Sequence, residues 1–166
     1  MKSQKLISIV IGTRPEAIKL APLVKKLNLN KKIDTRIILT GQHKEMVTQI
    51  IDLFEIKPDI NINLMKEKQT LTHITSVTLK ELRNDFLLNK PDLVVIQGDT
   101  TTAFSAALAA FYEKIPIAHV EAGLRTNSLY NPFPEEANRR MISRLASIHF
   151  APTLKAQKNL ENENIN

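Results

Sequence analysis

The chain has no cysteine, few aromatic residues and no long apolar run. Without cysteine there is no disulfide framework and no thiolate metal centre, which fits a reducing compartment. No stretch approaches the roughly 18 apolar residues that a membrane span needs. The short apolar run that ends at Gly12 lacks the small-residue cleavage pattern of a signal peptide. A soluble cytoplasmic protein is therefore expected, with no membrane partner. Internal repeats and low-complexity linkers are also missing. The net charge of +6 invites a nucleic-acid reading. Against it, the lysines are scattered, and only two tyrosines and six phenylalanines could stack on bases. Solvation of a Lys- and Asn-rich surface, or a phosphorylated small molecule, accounts for the charge without nucleic acid. No spacing of His, Asp and Glu suggests a metal.

What is present is a 166-residue chain, 43% hydrophobic and 24% charged, enough for one domain with a real core. Apolar runs alternate with amphipathic stretches. Strands are expected at Leu6–Ile11, Thr35–Thr40, Ile60–Leu64, Leu93–Gln97, Ile117–Val120 and Ile148–Ala151. Helices are expected at Pro15–Leu27, Glu45–Phe54, Leu71–Leu88, Thr101–Tyr112, Glu135–Ala146 and Thr153–Leu160. Pro22 should kink the first helix, because proline removes a backbone donor. The alternation predicts an α/β fold, a Rossmann-like doubly wound parallel sheet with helices on both faces. The tail after Leu160 suits either a sheet that ends there or a piece of a longer protein.

Such sheets bind ligands beyond the carboxyl ends of their strands, and the segments there are GTRPE, TGQH, GDTTT and VEAGLRT. Gly12 permits a tight turn. Thr13 to Glu16 fits a capping box. A helix start suits an anion, and Arg14 and Lys19 add two cations, so a diphosphate is a natural guest. A capped turn with two solvated cations would look the same. The turn is not G-x-G-x-x-G, so a dinucleotide site is unsupported. Asp99, Glu121 and Glu135 follow strands or open a helix on the same rim, where carboxylates beside an anion site suit proton transfer. Each has a plainer reading: Asp99 or Thr100 as an N-cap, Glu121 paired with Arg125, Glu135 on the helix dipole. His43 and His119 are weaker candidates, and His119 fits a satisfied core histidine.

The segments GTRPEAIKLAPL, TGQHKEM, QGDTTTAFSAALAAFY, IPIAHVEAGLRT and PFPEEANR spread over nearly the whole chain. On them the chain resembles the non-hydrolysing UDP-N-acetylglucosamine 2-epimerases of bacteria. The Pro-Glu-Ala-Ile-Lys continuation after GTR favours that branch over the hydrolysing one. The resemblance implies the N-terminal half of a GT-B-type two-domain enzyme, with residues 1–166 as one Rossmann-like domain and the C-terminal nucleotide-binding domain absent. It implies interconversion of UDP-GlcNAc and UDP-ManNAc through a glycal, no cofactor, and a homodimer. Asp99, Glu121 and Glu135 match the family's essential carboxylates, and Arg14 and Lys19 match positions near the nucleotide phosphates. Gln42, Glu45 and Lys68 match a candidate allosteric site. There Glu45 and Lys68 stand where activated members can carry Gln and Arg, and lysine lacks the bidentate fork. The isolated chain is expected to be inactive. Two other readings stay open: a GT-B glycosyltransferase half, and a non-enzymatic binding or assembly domain.

Overall fold

The computed structural model describes residues 4–41, 44–64 and 69–165, with the backbone alone for 44–46. Among the described residues, six strands alternate with six helices. They are β1 (Lys5–Ile11), α1 (Arg14–Asn28), β2 (Ile33–Leu39), α2 (Lys44–Leu53), β3 (Ile60–Asn61) and α3 (Leu71–Asn89). Then come β4 (Leu93–Gln97), α4 (Thr101–Tyr112), β5 (Ile117–Val120), α5 (Glu135–Leu145), β6 (Ile148–Phe150) and α6 (Leu154–Asn162). The strands form one sheet in the order β3-β2-β1-β4-β5-β6. Every neighbouring pair is parallel. This is the doubly wound order, with its switch point between β1 and β4.

The alternation of side chains along each strand divides the core into two layers. Ile9, Ile11, Ile37, Leu39, Val95 and Ala118 pack with Leu20 and Val24 of α1 and Ile50 of α2. Their neighbours Val10, Ile38, Val94, Ile96 and Ile117 face the other way, onto Leu82 and Phe86 of α3, the alanines of α4 and Ile142 of α5. Strands buried on both faces read as continuous apolar runs. In α4, Ala103, Ala106, Ala107 and Ala110 are buried. Their small side chains let the helix lie close to the sheet while it touches α3 and α5.

Three expected elements match to the residue: Leu93–Gln97, Thr101–Tyr112 and Ile117–Val120. The expected strand at Ile60–Leu64 shrinks to Ile60–Asn61, an edge strand paired on one side only. Asn63 explains the stop, since its positive φ of 53° leaves extended geometry. Helix α1 continues through Pro22 to Asn28. Among the described residues no helix is long and apolar enough to cross a membrane.

Candidate active site

The loops after β1 and β4 part at the switch point, and Glu16 ties them together. Its carboxylate accepts the Gly12 N–H at 2.5 Å and the Thr13 N–H at 3.0 Å. Its other oxygen takes the Thr100 hydroxyl at 2.8 Å. Glu16 is buried. Burial pushes its carboxyl above the usual range, against the opposing pull of the bonds from Gly12, Thr100 and Thr13. Gly12 is needed for the close approach, because a Cβ there would lie 3.0 Å from Thr102 Cγ2 and from Thr40 Oγ1. One expectation changes here. The Gly12 and Thr13 N–H groups are spent on Glu16, so this turn is not a bare cradle of donors for an anion. Of the two cationic side chains, only Arg14 remains uncommitted among the described residues. Arg14 is exposed at the first position of α1 and makes no ion pair among the described residues.

Lys19 lies one turn further along α1. Its Nζ donates to both carboxylate oxygens of Glu121, at 2.7 and 2.6 Å. The Gln97 side-chain amide, at the end of β4, also donates to Glu121. Glu121 has φ of +69°, the left-handed region that a non-glycine residue enters at a cost of roughly 1–3 kcal/mol. A glycine would relieve that backbone but would remove the carboxylate. The facing residue at the end of β4, Gly98, has φ of +74°, and its N–H donates to the Val120 carbonyl at 3.0 Å. The alternative pairing of Glu121 with Arg125 is not made: Arg125 Nε turns to Glu163 at 2.7 Å.

Asp99 is held from α5. Arg139 Nη2 lies 2.7 Å from Asp99 Oδ2, and the Asn138 side-chain amide donates to the Asp99 carbonyl at 2.9 Å. The N-cap of α4 is Thr100, whose hydroxyl accepts the Ala103 N–H at 3.0 Å. Asp99 is thus not needed as a cap. Burial raises its carboxyl above the usual range; Arg139 opposes this, and the negative charges of Glu135 and Glu121 add to it. Both charges act on Asp99, so the three carboxylates share one electrostatic neighbourhood. Glu135 stands in the first turn of α5.

His119 is buried in β5. Its Nε2 lies 2.7 Å from the Gly98 carbonyl oxygen and must carry the proton to donate there. Burial lowers its pKa to about 4. It is a core histidine whose Nε2 supports the Gly98 turn, but it is not fully satisfied, since its buried Nδ1 has no hydrogen-bond partner among the described residues. The candidate allosteric residues Gln42 and Lys68 lie outside the described residues, as do His43 and the side chain of Glu45.

Four contributors escaped the sequence reading: the two-loop role of Glu16, the Gln97 amide, and the Glu136 and Arg139 pair. For the last a signal existed. Glu136 stands three and four residues before Arg139 and Arg140, the spacing at which helical side chains meet. Glu136 is fully buried and touches both.

The chain has relatives among known proteins. The family model for UDP-N-acetylglucosamine 2-epimerase matches residues 25–166. The UDP-N-acetylglucosamine 2-epimerase of Bacillus subtilis is 53% identical over 164 residues, which is 99% of this chain and 43% of that protein. The crystal structure of UDP-GlcNAc 2-epimerase from Neisseria meningitidis bound to UDP-GlcNAc superposes with a TM-score of 0.93 at 49% identity, over 98% of this chain and 44% of that one. Acinetobacter baumannii MurG, with a TM-score of 0.60 at 17% identity over 88% of this chain and 40% of that one, shares the fold alone. The chain spans less than half the length of these relatives. With most of its length matched by the family model, this chain belongs to the UDP-N-acetylglucosamine 2-epimerase family.

Proposed function

We propose that this chain supplies one wall of the active site of a non-hydrolysing epimerase that interconverts UDP-GlcNAc and UDP-ManNAc. The observation that carries the reading is the group of carboxylates beyond β4 and β5, with Glu121 gripped by Lys19 and Asp99 by Arg139. Inverting C2 of the sugar requires its C–H bond to break and to re-form on the other face. A carboxylate takes the C2 proton. The C1–O bond breaks, and the diphosphate leaves with the electron pair. C1 and C2 become doubly bonded in a glycal. The return delivers a proton to the opposite face of C2 while the diphosphate oxygen rejoins C1. Asp99, Glu121 and Glu135 serve as the proton-transfer groups. Arg14 stabilises the charge that develops on the leaving diphosphate, and Lys19 adds its charge from its place on Glu121.

Residues 1–166 form one Rossmann-like domain in this reading, the N-terminal half of a GT-B-type enzyme. The opposite wall, with the remaining nucleotide contacts, lies in a second domain. The whole protein acts as a cytoplasmic homodimer without a cofactor. Gln42, Glu45 and Lys68 correspond to the site where activated members take up a second UDP-GlcNAc.

Turnover in D₂O tests the chemistry. The full-length protein that carries this sequence should place deuterium at C2 of both sugars and release traces of UDP and glycal. The 166-residue chain alone should do neither. Equilibrated sugars without deuterium at C2 would refute elimination. Acceptor-dependent transfer with C2 unlabelled would point to the glycosyltransferase reading instead.

A further inference from the structure

Helix α5 does more to the rim than carry Glu135. Its next turn holds Asp99 twice, through Asn138 on the backbone and Arg139 on the carboxylate. Behind Arg139 stands Glu136, wholly buried, with Oε2 at 3.4 Å from Arg139 Nη1. Glu136 accepts the Thr126 N–H at 3.0 Å and the Arg140 Nε–H at 2.7 Å. Arg140 Nη1 lies 3.9 Å from Glu163, and Glu163 pairs with Arg125 at 2.7 Å. The charges therefore alternate in sign from the rim to α6: Asp99, Arg139, Glu136, Arg140, Glu163, Arg125. Each inner member lies between two of the opposite sign.

We propose that Arg139 is the positioning residue of Asp99 and that Glu136 is the anchor that fixes Arg139 in place. The inference rests on the reading of Asp99 as a proton-transfer group. Asp99 feels the negative charges of Glu135 on α5 and of Glu121 at the end of β5. The nearby ammonium of Lys19 is engaged with Glu121. Arg139 is the one cation in ion-pair contact with Asp99 among the described residues. Burial and two like charges favour the protonated acid, which cannot accept a proton from a substrate. A guanidinium is always charged and opposes that drift. A purely structural tie is already supplied by Asn138 on the Asp99 carbonyl. The Arg139 contact adds orientation and charge.

The test uses the full-length protein that carries this sequence, with Arg139→Met, Arg139→Lys and Glu136→Gln. Carbon-13 NMR follows the titration of the Asp99 carboxyl, and C2 exchange in D₂O gives kcat and KM. In Arg139→Met the Asp99 midpoint should rise by at least about one pH unit. The same variant should lose about a hundredfold in kcat with little change in KM, the cost of a misplaced reacting group. Added guanidinium ion should restore part of that rate. Glu136→Gln should shift both readouts in the same direction by less. If Arg139→Met does not fold, Arg139→Lys carries the test, with a smaller rise expected. An unmoved Asp99 titration in the folded variants overturns the proposal, as does a lower melting temperature with kcat unchanged. A protein that shows the Asp99 shift but no C2 exchange in wild type would refute the epimerase reading and leave Arg139 in its role.

Discussion

Lys19 Nζ reaches both oxygens of the Glu121 carboxylate, at 2.7 and 2.6 Å, across 102 residues of sequence. The contact links the second turn of α1 to the end of β5, on either side of β4 in the sheet order. Glu121 meets it from a left-handed backbone. The strained backbone costs roughly 1–3 kcal/mol, and the fold keeps it with the carboxylate bound to Lys19.

Asn adopts the left-handed region more readily than Glu, so Glu121→Asn separates the two demands. In the full-length protein it should lower turnover by about 10²–10⁴-fold, the usual worth of a positioned acid or base. Its melting temperature should stay above that of Glu121→Ala, which loses the same Lys19 and Gln97 contacts and keeps the backbone strain. Asp99→Asn and Glu135→Gln should lose activity over the same range. Near wild-type rates in all three would reduce these carboxylates to caps and ion pairs.

Glu16 should matter to stability more than its place in a local cap suggests. Glu16→Ala leaves the Gly12 and Thr13 N–H groups and the Thr100 hydroxyl without their buried acceptor. The expected cost is about 3 kcal/mol, given about 1–3 kcal/mol for each buried group left unpaired. Glu16→Gln keeps an acceptor for the two N–H groups and a donor for Thr100, and should cost less than half as much. Burial raises the Glu16 carboxyl, so the native state binds its proton more readily than the unfolded chain. Wild type should therefore gain on Glu16→Gln as the pH falls from neutral towards the usual carboxylate range. Urea unfolding of the three proteins across pH checks both statements. Equal stability of Glu16→Ala and wild type would show that the bridge between the loops contributes nothing.

His119 predicts an acid limb. Its pKa falls from 6.5 in the unfolded chain to about 4 in the fold, because burial disfavours the imidazolium. Below pH 6.5 the unfolded chain takes up a proton that the native state refuses. Stability present above pH 6.5 is then lost progressively down to about pH 4, by roughly 3 kcal/mol in all. His119→Gln can still donate to the Gly98 carbonyl and does not titrate. Its unfolding free energy should lose this slope between pH 6.5 and 4. Parallel pH profiles for variant and wild type would contradict the assignment.

Much of the architecture follows from local chemistry. The runs LVVIQ and IAHV are short and mostly apolar on both faces, as interior strands are. The small residues of TTAFSAALAAFY suit one close-packed helix. Strand-helix alternation implies parallel pairing and points to strand ends, which is why Arg14, Lys19, Asp99 and Glu121 stand out in the sequence as candidates, while Glu135 is a candidate at the start of a helix. Partner choice could not be read that way. Arg125 is four residues from Glu121 yet pairs with Glu163, while Glu121 takes Lys19 from α1. The sheet order decides this, because it sets β4 beside β1 and makes neighbours of loops about ninety residues apart in the chain. Glu16 reads in sequence as one half of a local cap. Only in the fold does Thr100 arrive at its free oxygen and turn the cap into a bridge. Periodicity and strand ends are set by neighbours along the chain. Ion pairs and buried hydrogen bonds are set by neighbours in space, and those exist only once the sheet has assembled.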